Sequence, residues 1–215
     1  MKRNKILYFF ALFAACLFVS CDKDTEDIST ITFYPVFEME GEQFQTVFVG
    51  DTYTDSAVTA TEAGEPSEIT TVGSVDTSTP GVYTITYSAT NKDGFTVSVS
   101  RYIGVIDSAV TDVDLSGMYQ RTAGALGVST VIKLGPGHYT TDNVGGVAVP
   151  GPSTTIHFFN TEGTTLVAPA QEVAGGGVFS IEDGSYVPVG NSASQYSWVV
   201  INPGYGTALR TFERL

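Results

Sequence analysis

The chain has 215 residues, with 23 acidic and ten basic side chains and a net charge of −13. A surface this acidic repels phosphate backbones and sets nucleic acid aside as a partner. Two cysteines and two histidines leave little material for a cysteine-rich metal site or for the base of a nucleophilic triad.

Lys2, Arg3 and Lys5 precede an unbroken apolar run from Ile6 to Val19, and Ser20 and Cys21 close it. A basic start, a short apolar core and a small terminal residue specify a secretory signal peptide over residues 1–20. The run falls short of the roughly 20 apolar residues that a membrane-spanning helix needs. The ending Phe18-Val19-Ser20-Cys21 resembles the lipobox of bacterial lipoproteins. That resemblance implies a diacylglycerol on the Cys21 thiol, Cys21 as the mature N-terminus, and membrane attachment through the N-terminal lipid only. Several acyl chains, at roughly 0.8 kcal/mol per buried carbon, anchor stably where one does not. A plain secreted protein with a chance cysteine is the alternative.

Asp22, Asp24, Glu26 and Asp27 then read as a solvated tether. The same run is similar to the acidic export signal of surface lipoproteins in Bacteroidetes-type bacteria. It implies a lipid-anchored protein on the outer membrane, facing the cell exterior rather than the periplasm. Residues 21–43 are assigned as lipidated cysteine and acidic tether. Cys16 belongs to the leader and Cys21 to the lipid, so the mature chain is expected to hold neither disulfide nor free thiol. Its fold then rests on an apolar core alone. Without the three leader bases, seven bases face 23 acids, a charge of −16.

The expected fold class is all-β, with two units. In residues 44–107, Tyr83, Ile85, Tyr87 and Ala89 share one face of an alternating strand, and Phe95, Val97 and Val99 repeat the pattern. Asn91-Lys92-Asp93-Gly94 joins the two as a hairpin turn. Arg101 falls on the apolar face, which predicts a strand end or a bulge there. Gly50-Asp51-Thr52-Tyr53, Val58-Thr59-Ala60, Gly73 to Tyr83, Thr86 to Asn91, Asp93-Gly94-Phe95, Arg101 and Val105-Ile106-Asp107 together resemble bacterial surface Ig-like domains. The resemblance implies a seven-stranded sandwich without the antibody-type disulfide, used as a spacer or adhesion module and carrying no active site.

Residues 108–114 read as a linker, and 115–215 as a second β-rich module. Val128, Thr130, Ile132 and Leu134 alternate, and Gly135-Pro136-Gly137 turns the chain. Further strands are expected at Thr155–Phe159, at Val178–Ile181 before a turn at Glu182-Asp183-Gly184, and over Tyr196, Trp198 and Val200. "ALRTFERL" closes the chain as a last strand. About eight strands fit a small antiparallel barrel, lipocalin-like among barrels, or a second sandwich. "LSGMYQRT", "GPGHYTTDNVGG" and "PGYGTALRTFERL" look like the C-terminal module of surface lipoproteins of gut Bacteroidetes. Some of those belong to glycan-uptake systems of the starch-utilisation type.

No catalytic constellation emerges, so no catalytic residue, metal or cofactor is expected. His138 and His157 have no acid or cysteine at ligand spacing and read as turn and strand residues. Asp142, Glu162, Glu172, Glu182, Asp183 and Glu213 are the carboxylates from which a glycosidase pair would be drawn. Asp142 and Asn143 supply hard oxygens for a structural calcium, but one carboxylate is thin. Aromatic rings are the stronger lead, because sugars stack on exposed rings while polar groups fix their orientation. Trp198, Tyr205, Tyr196 and Tyr139 are the ring candidates, with Arg210, Asn143 and Asn202 for polar contacts. A buried Trp198 is the competing reading. The expected partner is a glycan; the alternative is an adhesin or assembly role toward an outer-membrane transporter or another surface lipoprotein.

Overall fold

Two strand-built bodies follow one another along the chain. The computed structural model describes residues 31–149 and 155–215. The expected signal peptide, Cys21 and the acidic run after it lie outside the described residues.

The first body has seven strands: β1 (Val36–Met39), β2 (Phe44–Phe48), β3 (Val58–Glu62), β4 (Glu65–Pro66), β5 (Thr70–Val72), β6 (Gly81–Thr90) and β7 (Thr96–Ile106). They form two sheets, β1-β3-β4 and β2-β7-β6-β5. All pairings are antiparallel except β2 with β7, which run parallel. Ile85, Tyr87 and Ile103 from the larger sheet meet Phe37, Met39 and Val58 from the smaller one, which is the core of a sandwich. β1 falls where the sequence suggested tether, because Phe37 and Met39 alternate inward. The β6–β7 turn forms as expected: Asn91 Oδ1 accepts the Asp93 and Phe95 N–H groups, and Gly94 takes φ +86°. Phe95, expected on the inner face, is instead half-exposed beyond the last core layer.

Arg101 ends no strand and makes no bulge. It sits in mid-β7, in register with Ile85, with no exposed surface. A cluster of polar groups makes this possible. Its guanidinium pairs with Asp55 and donates to the carbonyls of Ser56 (3.0 Å) and Glu40 (2.5 Å). The Asp55 carboxylate also accepts from the hydroxyls of Tyr87 and Tyr53. Burial pushes the Asp55 pKa up, but the hydrogen bonds from Tyr87, Tyr53 and Arg101 outweigh it and hold the carboxyl below its ordinary value. Glu40 follows β1 and Ser56 precedes β3, so a side chain of the large sheet grips the small one.

The second body has nine strands: β8 (Gly117–Arg121), β9 (Val128–Gly135), β10 (His138–Thr141), β11 (Ile156–Asn160), β12 (Thr165–Val167), β13 (Gln171–Glu172), β14 (Val178–Val189), β15 (Ser192–Ile201) and β16 (Leu209–Arg214). They run β12-β11-β10-β9-β8-β16-β15-β14-β13, and β12 also pairs with β14. That last pairing closes an eight-stranded antiparallel barrel in chain order, with β13 as a short appendage. The sequence left barrel and sandwich open; the structure decides for the barrel.

Glu182-Asp183-Gly184 makes no turn. β14 continues through it with a bulge, and Asp183 takes φ +53°. The reason is closure, since β12 must approach there. A Cβ on Gly184 would lie 2.2 Å from the Leu166 carbonyl oxygen, so only glycine admits the pairing. On β9 the inward face belongs to Ser129 and Val131, while Ile132 and Leu134 point outward, each about half exposed.

The sandwich meets the barrel through an apolar seam. Ile106, Val110 and Phe159 are buried together, with Phe44, Phe48 and Val82 packed on them. Gly104 of β7 makes room, because a Cβ there would sit 2.5 Å from the Phe159 ring. Tyr102 donates to the Ala170 carbonyl (2.7 Å), and the Asp107 N–H to that of Thr161 (2.8 Å).

Removing Asp55 leaves a buried guanidinium without its counter-ion, so Asp55→Ala is expected to cost about 3 kcal/mol in urea unfolding at pH 7, the low end for a buried pair because Asp55 is 30% exposed. Because the folded carboxyl titrates below its unfolded value of 3.8, that stabilisation is full above this pH. It fades as pH falls through the lower folded value, where wild type and variant converge.

Candidate functional site

Barrel strands alternate inward and outward, and here the inward set is aromatic. Tyr119, Tyr139, Phe158, Tyr196, Trp198 and Phe212 are each no more than 2% exposed. Tyr196 lies against Trp198 at 4.4 Å and stacks on Phe212 at 4.6 Å between ring centroids. Trp198 Nε1–H donates to the Val144 carbonyl at 2.9 Å, which satisfies its polar edge. The Tyr139 hydroxyl donates to the Val113 carbonyl at 2.7 Å, and burial raises its pKa. A barrel packed this way has no ligand chamber of the lipocalin kind. Its filled aromatic interior also differs from the polar lumen of membrane-spanning barrels.

The sequence-nominated binding residues are therefore redistributed. Trp198, Tyr196 and Tyr139 are core, and no face of any of them is open to a sugar. Arg210 is 4% exposed. It donates to the carbonyls of Ala208 (3.0 Å) and Tyr205, and its guanidinium lies 5.4 Å from the Tyr205 ring centre. Tyr205 is half-buried, edge-on to Phe179 at 5.3 Å, and a Cβ on Gly145 would collide with its ring at 1.9 Å. So Tyr205 and Arg210 do come together, as a plug over the barrel end rather than a platform. Asn143 is fully buried, its amide held by Val128 O (2.9 Å), Val147 O (2.8 Å) and Val147 N–H (3.0 Å). Nothing of it is left for calcium. Among the described residues no cluster of three or more His, Cys, Asp or Glu side chains is arranged for a metal. Cys21 lies outside the described residues.

A groove of about 570 Å³ lies beside the plugged end. Val178 and Ser180 of β14, Val200 and Ile201 of β15, and Pro203 and Thr207 of the next loop line it. Register places Ser180 opposite Ile201, and Val199 opposite an exposed Leu209. The loop is shaped by Asn202, which accepts the Gly204 N–H (2.9 Å) and donates to the Val178 carbonyl (3.0 Å). Asn202 is thus a turn former on the groove's rim. No lining residue is charged and none is aromatic. The groove holds no acid or base beside the hydroxyls of Ser180 and Thr207; it offers apolar contact with a thin polar edge.

Sequence reasoning missed two further places. Tyr34 and Phe95 are half-exposed and lie 5.7 Å apart on the sandwich. His138 and His157, read separately in the sequence, are 3.0 Å apart. Antiparallel register was the missing information: His138 faces Phe159, and Thr140 faces His157.

Residues 37–105 match the family described as bacterial surface protein, Ig-like domain. These are the residues of the sandwich. No curated protein matches the chain. Among solved structures, a lipoprotein of Bacteroides thetaiotaomicron is 21% identical, with a TM-score of 0.38 over 85% of this chain and all of that one. The M60 catalytic domain with two CBM51 domains of Clostridium perfringens ZmpB is 14% identical, with a TM-score of 0.30 over 86% of this chain and 21% of that one.

Trp198→Ala empties the centre of the aromatic stack and is expected to cost about 3–5 kcal/mol in denaturant unfolding. In the wild type, tryptophan emission should resist acrylamide quenching until the barrel unfolds, because one indole reports on one buried site.

Proposed function

We propose that the protein is a lipid-anchored, non-catalytic binding protein of the cell surface. The sandwich serves as spacer, and the barrel presents the contact. Supporting the surface location are the match of the sandwich to a surface Ig-like domain and the lipobox-like ending at Cys21. The observation that carries the binding reading is the uncharged apolar groove at the barrel end. An apolar surface without stacking rings suits a segment of another protein better than a sugar. The contact is thus an assembly or adhesion contact with an uncharged partner segment, such as part of a surface transporter or of a second surface lipoprotein.

Glycan binding is the second reading. It moves from Trp198 to the exposed pair Tyr34 and Phe95, whose rings are the kind that sugars stack on.

Two measurements taken together separate these readings. A photo-crosslinking residue at position 201 on intact cells should give a discrete protein adduct, lost in Val178→Asp. Calorimetric titration of the full chain with a polysaccharide panel should give no saturable heat. Saturable glycan heat that disappears in Phe95→Ala, with no adduct from position 201, would overturn the protein-partner reading in favour of the glycan one.

A further inference from the structure

The chain's two histidines sit side by side in the seam between sandwich and barrel. Nε2 of His138 and Nδ1 of His157 are 3.0 Å apart. Phe44, from β2 of the sandwich, stacks on His157 at 3.9 Å with rings 4° from parallel. Phe159, from β11, covers His138 at 4.8 Å. Each imidazole is therefore pressed against a phenylalanine of the seam, and the pair contacts both bodies.

A hydrogen bond between two imidazoles needs one N–H and one lone pair. Doubly protonated, the pair presents two donors and two positive charges at contact distance, in an apolar setting that strengthens their repulsion. The charged groups around it offer little relief. Glu42 lines the same cavity of about 450 Å³. Glu172 on β13 acts on Tyr102, whose ring stacks on Phe44 at 4.9 Å. Lys133, beside cavity-lining Leu134 on β9, is bound to the carbonyls of Thr111 (3.0 Å) and Val113 (2.7 Å). Among the described residues, neither imidazole is hydrogen-bonded to a carboxylate.

We propose that the His138–His157 pair is an acid-operated release for the seam: neutral, it lets Phe44 and β2 pack on the barrel; charged, it drives them off β10 and β11. Burial holds both imidazoles below their ordinary pKa, and the charge of His157 adds to the effect on His138, which falls to about 4. An opened seam would return each imidazole to a value near 6.5 and bind protons that the closed seam refuses. The seam is thus at full strength above pH 6.5 and weakens as pH falls toward 4. Asp55 titrates below 3.8, so the seam yields before the sandwich core does.

The test is amide hydrogen exchange of the full chain at pH 7.5 and pH 5, corrected for intrinsic rates. Exchange in 44–48 and 156–160 should rise roughly 30-fold at pH 5, the linkage expected for a group shifted as His138 is. Tryptophan emission should not move, because Trp198 reports on the barrel interior. In the double variant His138→Gln, His157→Asn, whose amides place nitrogens at similar positions without titrating, the rise should vanish. An unchanged corrected rate in the wild type, or a pH-dependent rise that persists in the double variant, overturns the proposal. Should the double variant open at both pH values, imidazole titration of the wild type by NMR decides. Midpoints below 6.5 uphold the release, and midpoints at or above 6.5 overturn it.

Discussion

Phe159 lies on the bare backbone of Gly104, and much of the molecule follows from that contact. A strand position without a side chain lets the barrel come close enough to share a core with the sandwich. Ile106, Val110, Phe44 and Phe48 then complete a small apolar cluster that neither body could bury alone. The segment 108–114, which reads as a linker, is instead held at the seam. Asp107 caps the turn at Ser108–Val110, and Val110 is 2% exposed. A chain organised this way holds its two bodies in register by packing rather than by a free connection. The histidine pair at the edge of the seam gives that packing a chemical handle.

The barrel's chemistry is set by how it is filled. Eight strands give an interior that side chains can fill completely. Tyr119, Tyr196, Trp198 and Phe212 do so, each near a wall position fixed by the β15–β16 and β16–β8 registers. Once the lumen is solid, open concave surface is left to the outside of the barrel. There the uneven faces of β14, β15 and the following loop leave one apolar concavity. Tyr205 and Arg210 mark the border: their job is to close the end of the barrel beside it.

Much of the fold was legible because alternation and turn chemistry are local. The β6–β7 hairpin, the Gly135-Pro136-Gly137 turn and the closing strand after Ala208 are all present as read. Where the reading failed, the deciding information was distant in sequence. Gly184 looks like a turn residue until Leu166 arrives opposite it. Arg101 looks misplaced on an apolar face until Asp55, 46 positions earlier, is brought to it. The site was less legible than the fold for the same reason. An aromatic residue that alternates on a strand has two faces to choose between, and barrel closure, which makes that choice, leaves no local mark. Trp198, Tyr196 and Tyr139 carry a core signal and a binding signal that are the same signal.

Arg101 occupies the role that a cross-sheet disulfide fills in antibody domains: it ties two sheets across the middle of a sandwich. The tie here is ionic, and the chain has no cysteine after Cys21. Such a domain needs no oxidase and no pairing partner to mature, and it is indifferent to the redox state of its surroundings. The tie forms from the side chains themselves as Arg101 and Asp55 meet, with no covalent step between folding and a finished sandwich.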